Sequence, residues 1–251
     1  MAALIYVGTS GWQYRDWAAD FYADTAPREW LKRYAERFHA VEVNGTFYRQ
    51  VKPEILTRWR RETPAQFRFS LKVHRYLTHV KRLQFEPEAL ERQRSAAACL
   101  EEKLAVMLWQ LPPSLGYDLA RLEGFLALLR GWPEVRHALE FRHRSWFRHE
   151  TAAALGRDGH AVCLSDAAAW PLWNRVVTDL VYVRLHGHQE TYRSNYDPAA
   201  LRQWAHQIKR WHEEQRVVHV YFDNTDRGAA WRNALFLKDL LAGQLGPECL
   251  V

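Results

Sequence analysis

The run LVYVRLH, residues 180–186, carries two different faces on one short segment. Side chains alternate sides along a strand, so Val181, Val183 and Leu185 share one face while Tyr182, Arg184 and His186 share the other. A parallel strand packed on both sides ordinarily reads as an unbroken apolar run. A guanidinium and an imidazole on one parity therefore ask for a sheet that separates an apolar outside from a polar inside.

Seven other runs show related patterns: LIYVGTS (4–10), AVEVN (40–44), FRFSLK (67–72), AVMLWQL (105–111), HALEFR (137–142), AVCLSD (161–166) and VVHVYFDN (217–224). One parity supplies Val41, Val43, Phe69, Leu71, Leu139, Phe141, Val218, Val220 and Phe222, suited to packing under helices. The other is assigned inward: Tyr6, Gly8, Ser10; Ala40, Glu42, Asn44; Arg68, Ser70, Lys72; Val106, Leu108, Gln110. It continues with Ala138, Glu140, Arg142; Val162, Leu164, Asp166; Tyr182, Arg184, His186; and His219, Tyr221, Asp223. The last inward residue of every strand is polar.

Helical patterns fill the gaps at 27–38, 53–62, 87–103, 118–130, 149–157, 197–215 and 227–242, with a short one at 171–177. Asp197 and Pro198 form an N-cap and first-turn proline. Leu201, Trp204, Ile208 and Trp211 recur at helical spacing. Strands alternating with helices predict a single α/β domain over 1–251, a TIM-type (β/α)₈ barrel, irregular around strand and helix 6. A doubly wound open sheet is the competitor, but GTSGW after the first strand lacks the G-x-G-x-x-G turn.

Composition narrows the function classes. The formal charge of +6 permits nucleic acid or small anions as partners without requiring either. RWRRE (58–62), the densest basic cluster, reads as a solvated helix face. Three cysteines without a C-x-x-C pair give neither a disulfide framework nor a thiolate zinc site. No apolar stretch is long enough for a bilayer, and MAALIYVGTSGW reads as a first strand rather than a signal peptide. The expected location is cytoplasmic, with no membrane partner.

Barrel sites form at the C-terminal strand ends, which is where polarity rises here. Buried unpaired charge costs several kcal/mol, so such charges are either paired with one another or exposed to a ligand. The plain alternative is a self-satisfied ion-pair set of Glu42, Glu140, Lys72, Arg142 and Arg184. The favoured expectation is an enzyme acting on a small polar, anionic substrate, phosphorylated or sugar-like. Glu42, Glu140, Asp166 and His186 are expected to do acid–base work. Ser10, Asn44, Tyr48, Lys72, Gln110, Arg142, Arg184, Tyr192, Tyr221 and Asn224 are expected to bind substrate, with the two arginines gripping an anion bidentately.

Whether the reaction is that of a hydrolase, a lyase or an isomerase stays open. A glycosidase pair is disfavoured because strands four and seven end in Gln110 and His186. No cofactor is expected. A divalent metal on Glu140, Asp166 and His186 is the minor alternative, opposed by Arg142 and Arg184 beside it. A nucleic-acid-binding or processing protein and a non-catalytic ligand-binding barrel are the other readings. Aromatic loop residues, among them Tyr192 and Tyr196, are candidate stacking surfaces. HRYLTHVKRL (74–83) and HGHQETYRSNY (186–196) read as lids.

The motifs GTSGWQYRDW (8–17), EVNGTFYR (42–49), FRFSLKVHRYLTH (67–79), QLPP (110–113), EFRHRSW (140–146), YVRLHG (182–187) and YFDNTDRGAAWRNA (221–234) occur in order along nearly the whole chain. In these the sequence resembles the YecE-like family, catalogued as domain of unknown function 72. The resemblance implies a TIM-type barrel and brings no established reaction. One departure is YFDN (221–224), where the family pattern has YFNN; it adds a carboxylate at Asp223.

Overall fold

The computed structural model describes residues 4–251. All eight predicted strands are present: β1 (Ile5–Thr9), β2 (Ala40–Val43), β3 (Arg68–Lys72), β4 (Leu104–Gln110), β5 (Arg136–Glu140), β6 (Ala161–Asp166), β7 (Leu180–Leu185) and β8 (Val217–Phe222). They pair in parallel in the order β1-β8-β7-β6-β5-β4-β3-β2. The helices are α1 (Trp30–Ala35), α2 (Gly45–Tyr48), α3 (Pro53–Glu62), α4 (Pro87–Ala97), α5 (Leu119–Leu129), α6 (His149–Arg157), α7 (Pro198–Glu213) and α8 (Ala229–Leu245). This is a TIM-type barrel.

Local chemistry explains several of these boundaries. Proline opens α3, α4 and α7, where its missing N–H costs nothing. Asp118 and Asp197 cap α5 and α7 by accepting from the N–H of Arg121 and Ala200. Helix α7 buries Leu201, Ala205, Ile208 and Trp211, one stripe of its surface.

The short helix expected at 171–177 does not form; that segment has no regular secondary structure. Seven residues that include Asn174 and the β-branched pair Val176 and Val177 cannot offset the cost of helix nucleation. Trp173 instead stacks on Phe147 with ring centroids 5.0 Å apart, pinning the β6–β7 crossover without a helix.

Ladders join seven strand pairs, and the eighth seam is different. Between β1 and β2 no ladder is described; their backbones are joined by one bridge, Ser10 with Glu42, and a bond from the Gly11 N–H to the Glu42 carbonyl. Below them the hydroxyl of Tyr34, from α1, accepts from the Thr9 N–H at 2.9 Å and donates to the Ala40 carbonyl at 3.0 Å. A side chain thus completes the backbone ladder. Gly8 permits the approach, since a Cβ there would lie 2.1 Å from the Ala40 carbonyl oxygen.

The apolar parity packs under the helices in one large core. The barrel floor holds a second cluster that includes Tyr6, Val106, Leu108, Ala138, Ala161, Cys163 and Tyr182. This corrects the parity of β6: Ala161 and Cys163 face inward, while Val162 and Leu164 join the outer core. AVCLSD is apolar on both parities over its first four residues, so alternation carries no information there. Register decides it, through Ala138 beside Ala161 and Cys163 beside Tyr182.

The seam yields a test. Replacing Tyr34 by Phe strands a buried N–H and a buried carbonyl, and is expected to cost about 1–3 kcal/mol in urea unfolding with the far-UV spectrum unchanged. An unaltered midpoint would show that the barrel closes without this hydroxyl.

Candidate functional site

The mouth of the barrel is organised around Arg184, which is fully buried on β7. Its Nε lies 2.9 and 3.1 Å from the two oxygens of Glu42, and Nη2 lies 2.8 Å from Glu42 Oε1. Nη2 also donates to Asp223 Oδ2 at 3.0 Å, and Nη1 to Glu140 Oε2 at 2.8 Å. One guanidinium thus holds three carboxylates, from β2, from β5 and from just beyond β8.

The carboxylates have further donors. Glu42 accepts from the hydroxyls of Ser10 and Tyr182. Glu140 accepts from Ser165 and from Arg142 Nε, each at 2.9 Å. Asn44 donates to Asp223 Oδ1 at 3.2 Å. Burial works to raise the carboxyl of Glu140, but Arg142, Arg184 and His186 outweigh it and hold it well below the usual range. Burial likewise opposes ionisation of Asp223, yet Arg184, His186 and Lys72 bring it down to about 2.

His186 is fully buried beside this cluster, with Nε2 3.2 Å from Arg184 Nη1 and Nδ1 2.9 Å from Asp223 Oδ2. Nε2 thus lies between the Arg184 guanidinium and the Glu140 carboxylate, 3.6 Å away. Asp223 lies close to Nδ1 without a hydrogen bond to it. Trp170 and Tyr192 pack edge-on over the imidazole at 5.0 and 5.6 Å.

Two cations differ from Arg184. Lys72, at the end of β3, is 7 % exposed, and its Nζ stands 4.2 Å over the ring of Phe47. Among the described residues no carboxylate lies within ion-pair distance of it. Burial first, and then Arg184, pull its ammonium down to about 8. Arg142 sits over the ring of Trp170, its Cζ 3.7 Å from the ring centre, and gives Nε to Glu140. Its Nη1 is 3.5 Å from the Tyr192 hydroxyl, and Nη2 has no described partner. His79 packs on Phe47 at 4.9 Å and lies near Gln110; burial, Lys72, Arg75 and Arg142 bring it down to about 4.

The barrel therefore brings together Ser10, Glu42, Asn44, Lys72, Gln110, Glu140, Arg142, Arg184 and His186, with Tyr192 as part of the cover. Other expectations are corrected. Asp166 has the outward parity of β6; it accepts from the Tyr196 hydroxyl at 2.8 Å and lines a separate cavity with Leu172 and Trp204. Tyr196 is buried as that partner and is not a stacking surface. Asn224 clamps the loop after β7 to α8 through Ser194 and Asn233. Tyr221 lies deeper in the barrel, bonded to Ser70 and His219. Tyr48 is 69 % exposed and touches Phe47 rather than the charged cluster. Arg184 has its donors taken up by the carboxylates and by His186, and is not free to grip a ligand.

Asp223, Ser165, Tyr182 and His79 belong to the site without a site role expected from sequence, and Trp170, one of the loop aromatics expected as candidate stacking surfaces, joins them. Asp223 and Tyr182 had the right parity; Ser165 was hidden by the β6 assignment, and the two loop residues had no periodic signal. With Asp166 outside, the trio suggested for a metal is broken up. Among the described residues no group of three or more His, Cys, Asp or Glu side chains could hold a metal ion. Among them, too, no helix is long and apolar enough to cross a membrane.

Fold and site together define a (β/α)-barrel protein with a buried ion cluster beneath its C-terminal mouth. The chain belongs to the family described as "Protein of unknown function DUF72", which matches residues 6–248. It is 24% identical to UPF0759 protein YunF of Bacillus subtilis, over 95% of this chain and 95% of that protein. It is 30% identical to UPF0759 protein YecE of Escherichia coli K12, over 62% of this chain and 56% of that protein. A solved DUF72 family protein of Thermotoga maritima superposes with a TM-score of 0.85 at 29% identity, covering 95% of this chain and 99% of the other. One from Enterococcus faecalis gives 0.82 at 20% identity, over 95% of each chain. The family resemblance and the barrel expected from sequence both hold.

The two kinds of cation predict opposite mutational effects. Arg184→Ala removes the cation shared by three carboxylates, leaving Glu42 and Asp223 without a guanidinium while Glu140 keeps Arg142, and is expected to cost about 3–5 kcal/mol in denaturant unfolding. Lys72→Met removes a lowered ammonium. With a folded value of about 8 against an unfolded 10.5, the unfolded chain binds more protons between those limits. The lysine's cost is thus full below pH 8 and gone above 10.5. Lys72→Met is expected to be more stable than wild type by up to about 3 kcal/mol at pH 7, a gap that closes as pH rises. A destabilised Lys72→Met protein at pH 7 contradicts this.

Proposed function

We propose that the barrel mouth binds a small anionic molecule through Lys72 and Arg142, and that Lys72 is the proton-transferring group of an enzyme. The supporting observation is the unequal state of the three cations. Arg184 is saturated by carboxylates and His186, whereas among the described residues Lys72 has no ion-pair partner and Arg142 Nη2 has no hydrogen-bond partner. An unpaired buried ammonium is costly, and a ligand anion relieves that cost.

The carboxylates suit a structural role better than the acid–base role first assigned to them. Glu140 and Asp223 are held ionised far below neutrality, and His186 has one nitrogen on Arg184 and the other beside Asp223. Lys72, near pH 8, titrates closest to neutral conditions among the mouth groups with resolved shifts. A protonated Lys72 can bind an oxyanion and then pass its proton to a departing oxygen on the same molecule. Arg142, braced on Trp170 and Glu140, fixes the anion's orientation. Trp170 and Tyr192 cover the mouth and help exclude water.

Calorimetric titration with sulfate, whose charge is constant in this range, tests the reading. Wild type is expected to bind sulfate at pH 7 and about tenfold more weakly at pH 9, as Lys72 loses its proton. Lys72→Met and Arg142→Ala are expected to lose measurable binding. Equal sulfate affinity in wild type and Lys72→Met removes the proposal.

A further inference from the structure

A groove of about 440 Å³ opens beside the mouth, between the loop after β1 and α3. Its floor includes Trp12 and Trp59, which meet edge to face at 4.9 Å, with Ile55 next to them. Its rim carries Arg49, Lys52 and Arg58, and no carboxylate is among its described lining residues. Apolar rings below, with Arg49 and Lys52 beside the neutral Gln13 and Gln50 above and Arg58 paired to Glu62, suit a ligand that is both apolar and anionic.

The groove meets the mouth at Asn44. Asn44 lines it and also donates to Asp223 in the ion cluster. The register that pairs Val43 with Leu71 carries Asn44 opposite Lys72. Gly45 stands at the same entrance, and a Cβ there would meet nothing within 4 Å. The space is open where side chains would otherwise narrow it.

We infer that this groove is a second subsite, taking an aromatic group attached to the anion held at Lys72 and Arg142. The inference rests on the anion-binding reading of the mouth. It narrows the ligand class to aryl- or nucleoside-like organic anions, the anionic group at the strand ends and the ring over Trp12 and Trp59. Arg49, Lys52 and Arg58 add long-range attraction for such a molecule.

Methylphosphonate and benzylphosphonate share a head group and differ in the ring, so their calorimetric affinities separate the two subsites. Wild type is expected to bind benzylphosphonate about 10- to 100-fold more tightly. Gly45→Phe, which fills the entrance, and Ile55→Asp, which makes the floor polar, are each expected to remove most of that preference. Two independent variants guard against one that folds poorly. Equal wild-type affinity for both phosphonates overturns the groove while leaving the mouth intact. Binding of neither overturns both. A preference that survives in both folded variants puts the ring elsewhere and also overturns the subsite. So does tight, steeply salt-dependent binding of a single-stranded oligonucleotide with no difference between the phosphonates.

Discussion

Arg184 is the constraint on which the mouth of this barrel depends. A guanidinium with no solvent exposure is tolerable only if its donors are filled, and here Glu42, Glu140 and Asp223 fill them. These three come from strands that are not neighbours of one another, so one side chain ties β2, β5 and the end of β8 to β7 across the interior. The seam between β1 and β2 has few backbone bonds and ends at the bridge between Ser10 and Glu42. Glu42 thus takes part both in closing the barrel and in neutralising its central cation.

This arrangement separates structural charge from available charge. The carboxylates and Arg184 satisfy one another and pack like a polar core. Lys72 and Arg142 occupy the upper edge of the same cluster with unfilled donors, resting on Phe47 and Trp170. Aromatic faces hold a cation in place without neutralising it. The cover is shaped by backbone as well: Tyr192 adopts φ +71° and Gly187 φ +98° in the loop after β7, left-handed conformations that turn the chain back over His186.

Much of this is legible in the sequence alone. Alternation in LVYVRLH, HALEFR and VVHVYFDN separates an outer apolar face from an inner polar one, because neither face tolerates the other's residues. Where that contrast fails, so does the reading: AVCLSD is apolar on both sides, and Asp166 was assigned to the wrong face. Asn224 and Tyr221 show another limit. A polar residue near a strand end bonds either to a ligand or to a neighbouring loop, and only the position of Ser194, Asn233 or Ser70 distinguishes the two. His79 and Trp170 sit on irregular loops, where no period marks which way a side chain turns.

Local periodicity and ordered motifs are enough to specify the barrel, the inward polarity of most strands and the family. Which charges are spent depends on the closed fold. Arg184 and Lys72 are both inward-facing cations near strand ends, and nothing local separates them. Their difference arises because side chains distant in the chain meet one guanidinium and not the ammonium. Ion pairing falls off over a few ångströms, so it is settled by where the barrel places each carboxylate, a property of the closed fold rather than of any one strand.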